Sequence, residues 1–416
     1  MLKRILRKST PLLASSFLGA ALTFFSAPLL INSLGLDGYG VYIALLALVQ
    51  VVNVVFNIQT WQALINYWYQ DKYIDKKYAL LSKCIVVDSV SAGIGAVFFL
   101  ITAGHMADFL KISFDNQLYY MSALYIFFSQ TSFSIGVFRL NDKFSLHAKL
   151  ISVFSILRFV GVLIAIYFSF SPEGVLFIFL LIGIITNCVQ FYIACRVSGF
   201  TLRTMSINNT KVIGFTRYSL WVNMKVIADL PVTHLDKIII TTFLGTTYVG
   251  LYDILKKCSA LIGLVASPIG QVVLPLLTSM IESGKVKEAY HISIKYGLFA
   301  SITLVPTCLF LGLIIIYFDL NSFLSLNDSF IYSSMVYISA QIVASSFVVL
   351  HTLFMALGMV KKDFVFLVFS NLIYLSICVL FVKSHEIMAF SLALLCQAVM
   401  VITFKALFIR KEVFGR

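Results

Sequence analysis

The chain is built from apolar runs of about twenty residues, the length a helix needs to cross a bilayer at roughly 1.5 Å per residue. Twelve such runs can be read. The first six fall near Pro11–Ile31, Tyr39–Ile58, Cys84–Gly104, Leu118–Phe138, Leu150–Phe170 and Gly174–Val197. After a polar stretch come Phe215–Leu244, Val249–Leu277, Ile294–Phe318, Phe330–Leu357, Phe364–Val382 and Ile387–Phe408. With 60% hydrophobic and 12% charged residues, no globular core could hide so much apolar surface. Only helices and closed barrels satisfy their backbone in lipid, and a barrel would need short segments of alternating polarity. The expected fold is therefore an all-α polytopic membrane protein.

A turn motif recurs at half the chain length. Leu34-Gly35-x4-Gly40-x-Tyr42 returns as Leu244-Gly245-x4-Gly250-x-Tyr252, 210 residues later, each time between two apolar runs. A repeat of half the chain is the mark of a transporter made of two related bundles. The expected organisation is two pseudo-symmetric six-helix bundles, 1–199 and 214–416, joined by a cytoplasmic linker at 200–213.

Orientation follows from the basic residues. The formal net charge is +13. Alternate loops gather Lys3, Arg4, Arg7 and Lys8; Lys72, Lys76, Lys77 and Lys83; Arg139, Lys143 and Lys149; Arg196, Arg203, Lys211 and Arg217; Lys285, Lys287 and Lys295; Lys361 and Lys362; and Lys405, Arg410, Lys411 and Arg416. The intervening loops hold only Lys111 and Lys383. The positive-inside rule then places both termini in the cytoplasm, and explains the net charge by topology and anionic lipid headgroups rather than by nucleic acid. A basic start followed by an apolar run can mimic a cleaved signal peptide, but this run is too long and supplies the first half of the repeat.

Several chemistries lack their motifs. The seven cysteines (Cys84, Cys188, Cys195, Cys258, Cys308, Cys378 and Cys396) show no CxxC spacing, so neither a disulfide framework nor a metal site is expected. There is no Walker A loop and no dinucleotide fingerprint, and no cofactor is expected.

The longer string Asp236-Lys237-Ile238-Ile239-Ile240-Thr241-Thr242-Phe243-Leu244-Gly245, followed by Val249-Gly250-Leu251-Tyr252, resembles a turn found in a known family. It is similar to the turn between helices 7 and 8 in the polysaccharide-exporter branch of the multidrug/oligosaccharidyl-lipid/polysaccharide (MOP, MATE-like) flippase superfamily. Gly38-Tyr39-Gly40-Val41-Tyr42 resembles the matching turn between helices 1 and 2. Length and helix number resemble the O-antigen (Wzx-type) flippases. Lipid II flippases carry two more helices and basic residues in helices 1 and 2, whereas this chain has no Lys or Arg between Lys8 and Lys72.

The resemblance implies transport of undecaprenyl-diphosphate-linked oligosaccharide, an O-antigen or related repeat unit, across the bacterial inner membrane by ion-coupled antiport. It also implies membrane lipids, a polysaccharide polymerase and a chain-length regulator as partners.

Ionisable groups within the runs invite functional questions, since each costs about 2.5–3.5 kcal/mol to insert. Arg158 lies eight residues into the fifth run. Its planar fork suits a diphosphate, although pairing with a helix end or an acid is the structural alternative. Asp236, Lys237, Asp253, Lys256 and Lys257 flank the second repeat turn, and counting outward from its midpoint sets Asp236 level with Lys257. They either neutralise one another to hold two helices together, or serve an ion-coupled step with a lysine meeting the phosphate. Asp229, Pro231 and His234 share the same run. Pro231 should kink it, and Asp229 and His234 are further ion-coupling candidates. Lys225 is expected to snorkel to the cytoplasmic interface.

Gln50, Asn53 and Asn57 fall on one face of the second run, where they either bind sugar hydroxyls or glue helices. Trp61, Tyr67, Trp68 and Tyr69 read as an interfacial aromatic belt.

Two other functions compete. Efflux of a cationic drug would meet repulsion from a basic cavity. A membrane-embedded polymerase or glycosyltransferase would need large outer loops rich in acids and arginines, and the short loops here offer mainly Asp108, Asp115, Asp319 and Asp328.

Overall fold

The computed structural model describes residues 2–68, 76–112, 115–201, 214–317 and 328–414. Of the residues singled out above, Tyr69, Lys72, Arg203, Lys211, Asp319 and Arg416 lie outside these, as do the side chains of Lys3, Arg4, Arg7, Lys8, Cys308 and Asp328. Among the described residues every regular element is helical. Seven helical stretches among the described residues are long and apolar enough to cross a membrane. Two of them, Thr10–Trp68 and Lys361–Lys411, run to 59 and 51 residues, far more than one crossing requires. The first carries the first two apolar runs, and the second carries the last two.

The breaks in those long stretches have different causes. In α1 (Leu2–Phe56) the helix turns at Gly35, with φ 72° and ψ 167°. Gly245 turns the chain in the same backbone region, with φ 95° and ψ −178°. That region is open essentially to glycine alone, so the repeated Leu-Gly motif encodes one specific local conformation twice. The last helix, Val360–Phe414, bends at Glu386, a non-glycine residue at φ 48° whose carboxylate accepts a hydrogen bond from Tyr248 Oη at 3.0 Å.

The chain forms two compact units, Arg7–Leu230 and Pro231–Arg416, the latter including Met1–Leu6. The division falls inside the seventh apolar run. The stretch expected to link the bundles, 200–213, lies outside the described residues from 202 onward.

In the unit Arg7–Leu230, α1 is followed by α2 (Thr60–Trp68), α3 (Lys77–Leu110), α4 (Asn116–Phe128), α5 (Ser132–Leu140), α6 (Phe144–Tyr167), α7 (Pro172–Ser198) and α8 (Phe215–Ala228). Two spans here are broken without Pro or Gly, at Asn57–Gln59 between α1 and α2 and at Ser129–Thr131 between α4 and α5. Each break frees backbone carbonyls that lipid cannot satisfy. Side chains distant in sequence supply the donors: at the first break Ser132 Oγ reaches Ile58 O at 3.0 Å, Asn223 Nδ2 reaches Val55 O at 2.9 Å and Ser91 Oγ bonds Phe56 O, and at the second Asn57 Nδ2 reaches Ser129 O at 3.4 Å. Below the breaks an apolar core packs Leu64, Leu80, Phe133, Phe138, Ala194 and Phe215.

In the unit Pro231–Arg416, a π-helical turn Pro231–Leu235 leads into α9 (Asp236–Leu244) and α10 (Thr246–Glu282). After these come α11 (Val286–Tyr317), α12 (Asp328–Ser346), α13 (Val348–Ala356) and α14 (Val360–Phe414). The expected kink at Pro231 is present. α8 stops at Ala228, and the next turn widens to π geometry because Pro231 offers no N–H to the ladder. One core of this unit gathers Leu277, Ala289, Phe347, Leu350, Phe354 and Ile409. Close to it, Lys405 and Asp363 form a 2.6 Å ion pair, with Lys405 Nζ 5.5 Å from the Phe354 ring centroid.

Candidate functional site

The α9–α10 hairpin brings together all five charged residues that flank the second repeat turn. Lys256 Nζ lies 2.7 Å from Asp236 Oδ2, while Lys237 Nζ and Lys257 Nζ lie 2.6 and 3.0 Å from the two oxygens of Asp253. Asp236 is fully buried, and the Asp253 side chain is 4% exposed. The pairing differs from the register read by counting: Asp236 meets Lys256, and Lys257 folds back on Asp253 four residues earlier on its own helix.

Lys256 is committed further. Besides Asp236, its ammonium donates to Val232 O at 2.7 Å and to Thr233 O at 3.0 Å, both in the π-helical turn. An ammonium has three donors, and here all three are used inside the protein. Lys256 thus satisfies two carbonyls of the π-helical turn. The same Asp236 oxygen also accepts from Tyr252 Oη at 2.8 Å, and Tyr252 Oη in turn lies 3.3 Å from Tyr374 Oη. The Tyr337 ring packs edge-on against Tyr252 at 5.6 Å. The second repeat tyrosine is therefore a structural member of the cluster.

Three lysines face two carboxylates, which leaves one positive charge over. Lys237 is the lysine with donors to spare: its ammonium makes one bond, to Asp253, and its side chain is 14% exposed. Asp229 caps the end of α8, and His234 lies half-buried in the π-helical turn.

In the other unit, Arg158 lies midway along α6, its guanidinium 4.9 Å from the Phe179 ring centroid of α7. Its Nε is buried without a hydrogen-bond partner, and no ion pair holds it among the described residues. The alternative of pairing with an acid is thus not what the structure displays; the ring stacks against the cation instead.

The amide face of the second run is occupied. Gln50 Nε2 reaches Tyr125 Oη at 3.4 Å, Asn53 Oδ1 accepts from Ser129 Oγ, and Asn57 Nδ2 reaches Ser129 O at 3.4 Å. All three partners belong to α4 and its break, so this face ties two helices together. At its end, the Arg139 guanidinium stacks 4.0 Å from Trp61, and Lys77 Nζ lies 5.2 Å from Trp68, contacts in keeping with an aromatic belt.

The sequence reading passed over Asp88. It is 3% exposed within α3, and its Oδ1 accepts from Thr60 Oγ1 at 2.6 Å. A lone acid inside an otherwise apolar run is the sequence signal that marks it.

A family model described as polysaccharide biosynthesis protein matches residues 38–318, more than half of the chain. The chain belongs to that family. No curated protein matches it by sequence. Among solved structures, the lipid II flippase MurJ in an inward closed conformation is similar with a TM-score of 0.70 and 13% identity, over 95% of this chain and 86% of that one. An inward-facing multidrug resistance MATE family transporter of the MOP superfamily gives 0.65 and 12%, over 98% and 95%. A MOP superfamily transporter from Pyrococcus furiosus gives 0.60 and 12%, over 98% and 96%. This family member therefore has the fold shared by MATE and MurJ proteins.

Proposed function

We propose that this polysaccharide-biosynthesis protein is a flippase. It would turn an undecaprenyl-diphosphate-linked oligosaccharide, an O-antigen or related repeat unit, from the cytoplasmic to the periplasmic leaflet of a bacterial inner membrane. In this reading the chain crosses the membrane twelve times in two six-helix bundles, with both termini cytoplasmic. It works by alternating access coupled to an ion gradient, beside a polymerase and a chain-length regulator. The observation that carries the reading is the surplus positive charge held among apolar helices at Asp236, Asp253, Lys237, Lys256 and Lys257. An anionic diphosphate head is attracted by that surplus, whereas a cationic drug is repelled. The MATE-like fold alone does not separate these cargoes.

Within the cluster, Lys237 is the lysine proposed to meet phosphate, with Lys257 beside it, and Lys256 positions the hairpin. Arg158 is proposed as the bidentate partner of the diphosphate. Asn53 and Asn57 position helices and frame the path rather than grip sugars. Any ion-coupling role of Asp236, Asp253, Asp229 or His234 must operate through changes in this lysine network.

Deleting the gene tests the function. Accumulation of lipid-linked repeat units on the cytoplasmic side, with loss of polymerised surface glycan, is expected; unchanged surface glycan with no accumulation sinks the reading. At the site, Arg158→Ala should lower export about tenfold and more than Arg158→Lys, since lysine keeps the charge and loses the fork. Wild-type export by both variants removes Arg158 from the path.

A further inference from the structure

The last helix, α14, doubles back at Glu386 and brings its two ends together. Lys405 pairs with Asp363 at 2.6 Å, and Lys362 Nζ lies 4.1 Å from the Phe408 ring, so the first turn of α14 sits beside its closing turns. Five basic residues gather at this end, Lys361, Lys362, Lys405, Arg410 and Lys411. Against them stand two acids, Asp363 and Glu412, the latter with its side chain outside those described, which leaves a surplus of three positive charges. Asp363 is committed to Lys405, while Lys361, Lys362, Arg410 and Lys411 are exposed.

Along the second limb of α14 runs an apolar groove of about 470 Å³, lined by Leu395, Cys396, Val399, Met400, Thr403 and Phe404. Exposure recurs at Leu392, Cys396, Val399, Thr403, Leu407 and Arg410, the three- and four-residue steps of a single helical face. At about 100° per residue, Arg410 falls about 20° from Val399 and Thr403, and Lys411 about 20° from Met400 and Phe404. The face that carries the groove therefore ends in two cations. A helix C-terminus favours basic residues on any side. Here both continue the groove, and neither makes an ion pair or hydrogen bond among the described residues.

The lengths fit a lipid. From Leu395 to Phe404 the groove covers about 14 Å, close to half of a hydrocarbon core about 30 Å thick. From Leu395 to Lys411 is about 24 Å, against about 20–22 Å for one leaflet with its headgroups. An acyl chain laid in the groove thus ends at the level of the cations. Basic residues clustered where a helix leaves the membrane attract anionic headgroups. A second copy of the chain fits this face less well, since a two-fold axis along the membrane normal would set Arg410 and Lys411 against the same cations of the other copy.

We infer that the groove on α14, with Arg410 and Lys411 at its mouth, binds one anionic diacyl phospholipid. The phosphate rests on the two cations and an acyl chain lies along residues 395–404. The site requires only that the chain cross a membrane, and it stands apart from the flippase reading.

The test titrates the full-length chain, purified in detergent, with dioleoylphosphatidylglycerol or dioleoylphosphatidylcholine and counts bound lipid by native mass spectrometry. At about a factor of five for each basic residue near an anionic headgroup, wild type should hold one phosphatidylglycerol roughly 25-fold more tightly than phosphatidylcholine. Arg410→Gln should lose about fivefold of that preference, and Arg410→Gln with Lys411→Gln should erase it. Thr403→Trp keeps every charge, fills the groove and should also weaken phosphatidylglycerol binding. Lys285→Gln with Lys295→Gln removes two exposed cations elsewhere in the same unit and should change nothing. The inference is overturned if phosphatidylcholine binds as tightly as phosphatidylglycerol, or if the Lys285 and Lys295 pair matters as much as the Arg410 and Lys411 pair. Should the Arg410 and Lys411 pair fail to fold, full binding by Thr403→Trp overturns it equally. Two rival occupants have their own readouts. Cross-linking between chains in liposomes that is lost in Cys396→Ser would give the groove to a second copy, and displacement of phosphatidylglycerol by an equal concentration of undecaprenyl phosphate would give it to a lipid carrier; either result overturns the inference. Failure of the gene-deletion test would leave these binding results standing, so the two readings fail separately.

Discussion

Asp236 and Asp88 are both buried carboxylates beside a helix break, yet they are neutralised by opposite means. Asp236 is met by a full positive charge, Lys256 at 2.7 Å, supplied twenty residues away on the same hairpin. Asp88 is met by partial charges, the N-terminal ends of α2 and α5, brought together from distant parts of the sequence. Taking the charge off Asp236 strands an ammonium inside the protein. Taking it off Asp88 strands nothing, because backbone dipoles carry no net charge. An acid tied to a lysine therefore locks a hairpin through a matched pair of charges, and an acid tied to helix ends joins two broken spans without needing a counter-charge.

The difference predicts unequal costs of the same substitution. Asp236→Asn should destabilise the protein by about 3–5 kcal/mol, the range for breaking a buried pair from one side. Unfolding in detergent by heat or denaturant reads this directly. Adding Lys256→Met should recover part of the loss, since the stranded charge goes. Recovery stays incomplete because Val232 and Thr233 then lose a donor, at about 1–3 kcal/mol for each unsatisfied carbonyl. A loss below about 1 kcal/mol in the single variant would mean that the ion pair is not what holds the hairpin.

Asp88→Asn should cost less, about 1–2 kcal/mol. Thr60 can still donate to the amide oxygen, and what disappears is the charge–dipole attraction at two helix ends, about 0.3–1 kcal/mol apiece in ordinary settings. The same unfolding measurement checks it. Equal losses for Asp88→Asn and Asp236→Asn would erase the distinction between the two acids.

The two centres were also unequally visible in the sequence. The C-terminal cluster is legible because its residues are neighbours along the chain: a turn signal, Gly245, and charges within twelve residues on either side fix a hairpin. Its pairing was not, because counting along two helices gives depth but ignores the roughly 100° rotation per residue that turns Lys256 rather than Lys257 toward Asp236. Pro231 announced its own break.

The breaks at Asn57–Gln59 and Ser129–Thr131 carry no Pro or Gly. At the first, Ser91, Ser132 and Asn223 arrive from elsewhere to satisfy the carbonyls of Phe56, Ile58 and Val55, and at the second Asn57 reaches Ser129 O, an arrangement no local window contains. Asp88 was hidden for the same reason. Its meaning depends on two helix ends, at Thr60 and Phe133, that no local pattern places beside it.

The smallest effect on stability is expected where the cluster has charge to spare. Asp253 is shared by Lys237 and Lys257, so removing either lysine leaves every acid with a partner. Lys237→Met keeps the apolar stem and deletes the ammonium that makes a single bond. The loss should be about 0.5–1 kcal/mol, since Asp253 retains Lys257 at 3.0 Å and no charge is left alone. The cluster then carries two lysines and two acids, and its surplus is gone. Export of an anionic lipid should fall although the protein remains folded, a separation that Asp236→Asn cannot produce. Full export with a neutral cluster would show that the third lysine serves the hairpin alone, and the attraction for phosphate would have to come from Arg158.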